Sequence, residues 1–90
     1  MSASPSLPGH GLVEKGLDDL ARGLETVEAL LVSIAAARLS RLGFAVAPLP
    51  SPEHRLYALL RAEDPDSAHS RYNALVRRVV SFERAAECAS

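Results

Sequence analysis

A chain of 90 residues makes one domain, near the lower size limit for folding without a metal, a disulfide framework or a partner. Hydrophobic residues form 48% of it and aromatics only 4%, with Ala and Leu dominant, which excludes a core of β-branched and aromatic strands and points to an all-α fold. The net charge of −1 removes the main electrostatic argument for nucleic acid, and the single Cys88 excludes an internal disulfide and fits a reducing, cytoplasmic setting.

Met1 to Gly9 carries two prolines, no basic residue and no apolar stretch of leader length, and residues 1–10 read as a flexible N-terminal tail to a single helical domain over 11–90. No uncharged run approaches the roughly 18 to 20 residues needed to span a bilayer. From Gly11 the apolar residues Val13, Leu17, Leu20, Leu24, Val27, Leu31 and Ile34 recur at alternating steps of four and three. This spacing predicts one long amphipathic helix to Leu42, closed by Gly43, with Arg38 and Arg41 answering the dipole at its end. Gly16 and Gly23 lie inside the run, each a site of fraying or of close backbone approach, and Asp18 can pair with Arg22 at i,i+4.

The segment Phe44 to Pro50, with two prolines, is a connector whose apolar side chains are expected to lie across the end of the bundle. Ser51, Pro52 and Glu53 form a helix start, with Ser51 as the hydroxyl cap, for a short helix to about Ala62 that turns Leu56, Leu59 and Leu60 inwards. A turn at Glu63 to Ser67 then leads, through a cap at Asp66 or Ser67, into a second long helix from Ala68 to about Glu87. Its seam is Ala68, Tyr72, Leu75, Val79, Phe82 and Ala86.

An unbroken helix from Leu12 to Leu42 would be about 46 Å long, against a diameter of about 30 Å for a compact chain of this size. Either the helix breaks near Gly23, or its seam is buried on another copy. The second alternative is the expected one: two long helices and one short helix, completed as a four-helix-type bundle in a homodimer. The interface would then use Leu17, Leu20, Leu24, Val27, Leu31, Ile34, Tyr72, Leu75, Val79 and Phe82. Leu24→Asp would cost several kcal/mol on that reading.

Reactive groups are sparse. His69, Asn73 and Arg77 fall at i, i+4 and i+8 on one strip of the last helix, where a phosphate or a proton transfer is conceivable and a solvated polar face is the ordinary use. Arg61 and His69 are separated by seven residues and a proline turn, and His54, His69 and Cys88 lack the paired spacing of a zinc site. The arginines of the last helix, Arg71, Arg77, Arg78 and Arg84, are countered by Glu83 and Glu87. No cofactor or metal is implied. The expectation is a non-catalytic helical interaction or regulatory module acting through a protein partner, the alternative being a small helical enzyme or nuclease subunit using His69 with nearby arginines.

Overall fold

The structure, a computed structural model, describes residues 9–89. These are helical throughout their ordered elements: α1 (His10–Ala21), α2 (Val27–Ile34), α3 (Ala36–Arg41), α4 (Pro52–Glu63) and α5 (Ala68–Ala89). The expected tail lies outside the described residues as far as residue 8, and α1 opens at His10. No helix among the described residues is long and apolar enough to cross a membrane.

The first long helix is not continuous, and the local chemistry of Gly23 and Thr26 explains why. Gly23 takes the left-handed conformation at φ 76°. Its N–H donates to the Leu20 carbonyl (3.0 Å) and the Leu24 N–H reaches back to the Asp19 carbonyl (2.8 Å), the paired bonds of a Schellman turn. Three residues later the Thr26 hydroxyl accepts the Ala29 N–H at 3.1 Å and caps α2. A second Schellman turn closes α3: Gly43 has φ 103°, its N–H donates to the Ser40 carbonyl and the Phe44 N–H to the Leu39 carbonyl. Between α2 and α3 the chain changes direction at Ala35.

The break folds α1 back along α2 as an antiparallel hairpin. Gly16 makes the approach possible, since a Cβ there would run into the Glu28 carbonyl and come within 2.7 Å of Val32 Cγ1. Lys15 holds Asp19 at 2.7 Å and Glu28 at 3.4 Å, and the Thr26 hydroxyl donates to Asp19 Oδ2 at 2.6 Å, so one buried carboxylate ties both ends of the turn. The expected Asp18–Arg22 pair is present at 3.2 Å.

Helix α2 occupies the centre, in contact with every other helix. Ala29 to Ser33 are all buried, as befits a helix that is apolar on all sides. Leu12 and Val13 of α1, Leu39 of α3, Leu56 and Leu60 of α4, and Ala68, Val79 and Phe82 of α5 complete the core around Leu30, Leu31 and Val32. The connector behaves as expected, with Phe44, Val46 and Leu49 packed on the core. Its anchor is Ser33, whose hydroxyl donates to the Ala29 carbonyl and accepts the Leu49 N–H at 3.0 Å.

One cap differs from expectation. Ser51 sits at φ 46° and its side chain makes no capping bond, leaving Pro52 and Glu53 to open α4. In the next turn the Asp64 carboxylate accepts the Ser67 hydroxyl at 2.9 Å and the Asp66 N–H at 3.1 Å, both of which hold its pKa below the ordinary value. The described chain extends 38 × 25 × 24 Å, shorter than the unbroken helix would be.

Candidate functional site

The seam residues are distributed by the hairpin. Leu31, Val79 and Phe82 lie in the core of the chain itself, with Leu17, Leu20, Val27, Ile34, Tyr72 and Leu75 half-buried against it. Leu24 is the exception: it follows Gly23 out of the helix and is 46% exposed. It does not belong to a continuous stripe within the chain, and the cost of Leu24→Asp depends on whether another molecule covers it. Leu59 of α4, assigned to the apolar side, is 36% exposed.

His69, Asn73 and Arg77 are all exposed on α5. Asn73 and His69 are joined at 3.2 Å between Nδ2 and Nε2, and the imidazole stands edge-on to the Tyr57 ring of α4 at 6.5 Å between centroids. Tyr57 in turn meets Tyr72 at 5.9 Å. The pair is thus used in packing α5 against α4. Arg77 lies a turn beyond and makes no ion pair among the described residues. Burial, with the Glu53 charge adding to it, raises the Tyr72 phenol above its ordinary pKa, so that hydroxyl stays neutral.

A more concentrated arrangement lies further along α5. Helix α3 packs chiefly on α2, and between α3 and the second half of α5 there is an open groove of ≈ 450 Å³. Ile34, Ala35, Val79 and Val80 give it an apolar floor, and Arg38, Arg41 and Arg84 stand along it. Glu83 lies in the same groove but is only 3% exposed. Its carboxylate faces Arg38 across the gap at 3.6 Å.

The electrostatics of that pair are unequal. Burial pushes the Glu83 pKa above its ordinary value; the Arg38 charge pulls it back, and the neighbouring Glu87 charge pushes it further up. Where Glu83 is ionised, its charge and that of Arg38 offset one another at the groove. Arg41 and Arg84 are exposed and make no ion pair among the described residues, so they carry its positive character. Arg38, Arg41 and Glu87 frame an adjoining polar recess of ≈ 240 Å³.

Of its lining only Ile34 and Val79 were expected at an interface, and its arginines were not. The sequence does show Arg38 and Arg41 entering positions that the apolar stripe should occupy, and that departure is the available signal. Their bases also oppose the α3 dipole, as expected. Among the described residues no three His, Cys, Asp or Glu side chains gather as a metal site would require, and Cys88 is an exposed free thiol. No protein-family model, curated protein or solved structure matches the chain.

Proposed function

We propose that the protein is a non-catalytic helical interaction module that receives a partner protein in the groove between α3 and α5. The observation that carries this reading is the groove itself. It combines an apolar floor, small residues that permit close approach, and exposed guanidinium groups, which together resemble the composition of helix-receiving surfaces. The seam that suggested an interface in the sequence is largely consumed in the chain's own core.

The test is site-directed photocrosslinking in the native host. A photoreactive phenylalanine analogue at Ala37, in the groove, should yield an adduct with one defined polypeptide, and the same probe at His69, in the first turn of α5 and more than two turns along the helix from the groove, should not. Equal labelling from both positions, or none from Ala37, removes the reading.

A second reading, a homodimer, is favoured by Leu24 and Leu59, the large apolar side chains that remain exposed among the described residues. Light scattering should then give twice the chain mass, reduced to the single mass by Leu24→Asp with Leu59→Asp. A single mass for the unaltered protein at high concentration rejects it.

A further inference from the structure

Resting on the reading of the groove as a protein-docking surface, we infer that its occupant is an acidic amphipathic helix, which lays aliphatic anchors on the floor and carboxylates against Arg41 and Arg84. Three features of the groove select this chemistry.

The first is shape. The groove is bounded by helices on both sides and floored by the end of α2, so the space resembles a helix position left empty in a bundle. Ala37 keeps the α3 wall low, allowing another backbone to approach closely. The six residues of α3 give a wall of about 9 Å, which matches two turns of an incoming helix with anchors at i, i+3 or i+4, and i+7.

The second is charge. The protein as a whole is slightly negative, yet three arginines converge on this groove. Arg38 faces Glu83 at 3.6 Å, and its opposite charge offsets that carboxylate towards an incoming acid. Arg41 and Arg84 have exposed guanidinium groups without an ion-pair partner among the described residues, and a guanidinium matches a carboxylate through two parallel hydrogen bonds.

The third separates a protein from a nucleic acid. A duplex backbone would demand a broad positive face. Here the positive groups flank an apolar floor and share the groove with Glu83, while Glu87 lies beside Arg38 and Arg41. Apolar anchors with acidic flanks fit that mixture, and phosphate with no apolar component does not.

The experiment measures fluorescence anisotropy of the full chain with two designed helical peptides. Both carry leucines at i, i+3, i+4 and i+7; one is flanked by glutamates and the other by lysines. The glutamate peptide should bind and the lysine peptide should not. In Arg41→Gln/Arg84→Gln, with helical content verified by circular dichroism, affinity should drop about tenfold, as expected on losing two solvent-exposed ion pairs. His69→Ala should leave it unchanged. Equal binding of both peptides, no binding of either, an unaltered affinity in the arginine variant, or tighter binding of a duplex oligonucleotide at the groove would each overturn the inference. Peptide failure with the Ala37 adduct intact overturns only the acidic-helix assignment. Loss of the Ala37 adduct removes the interaction-module reading beneath it.

Discussion

Two buried carboxylates set opposite pH dependences. Asp19 accepts from Lys15 and from the Thr26 hydroxyl, and these bonds lower its pKa below the ordinary 3.8. Its contribution to stability is present above the unfolded value and is lost as pH falls through the lowered folded value. Glu83 is raised above the ordinary 4.5 by burial, so the folded state retains its proton longer than the unfolded chain does. Stability from that group is present below 4.5 and declines as pH rises through the folded value. In denaturant titrations across the acid range, Asp19→Asn should flatten the loss of stability at low pH. Glu83→Gln should remove the decline above it and equal or exceed the parent protein in stability at neutral pH. A Glu83→Gln variant less stable than the parent at neutral pH would show that the Arg38 pair outweighs burial. Neither role was legible in sequence, because Asp19 and Glu83 look like ordinary helix-surface acids until α2 and α3 are placed against them.

At the scale of elements, the last two helices were readable because their starts and stops agree with their apolar period. Pro52 and Glu53 begin α4, the Asp64 to Ser67 turn separates it from α5, and no glycine interrupts either helix. The first half misleads for a physical reason. Steps of four and three continue from Leu20 through Leu24 to Val27, and a period of 3.5 carries no information about whether the backbone between those residues stays helical. Gly23 and Thr26 hold that information as a stop followed by a start, and both were in view. The consequence is measurable by chemical denaturation. Leu24→Asp should now change stability by no more than about 0.5 kcal/mol, the usual bound for exposed sites, whereas Leu30→Ala in the fully buried α2 should cost about 2–5 kcal/mol. A large loss at Leu24 would mean that this residue is covered in solution. The groove escaped notice for a related reason: it exists only because α3 turns away at Ala35, and no local spacing specifies the distance between α3 and α5.

For the molecule as a whole, the length argument posed the right alternatives, a broken helix or an overhanging one. The break is what keeps the long dimension at 38 Å. All-α composition and the connector's place on the core followed from residue types, but the pairing of α1 with α2 depended on Gly16, whose missing side chain admits the α2 backbone. The five-residue segment between α1 and α2 also gives the hairpin a latent second form. Were it to straighten, α1 of one molecule could take the place of α1 on the α2 of another, with the same apolar contacts made in trans. The Schellman turn is the point on which such an exchange would hinge. Gly23→Ala with Thr26→Ala strains the left-handed turn, removes the α2 cap and favours the straight helix, so light scattering should show a larger exchanged-dimer fraction than in the parent protein. The continuous helix suggested by the sequence is, in these terms, the open arm of a domain swap.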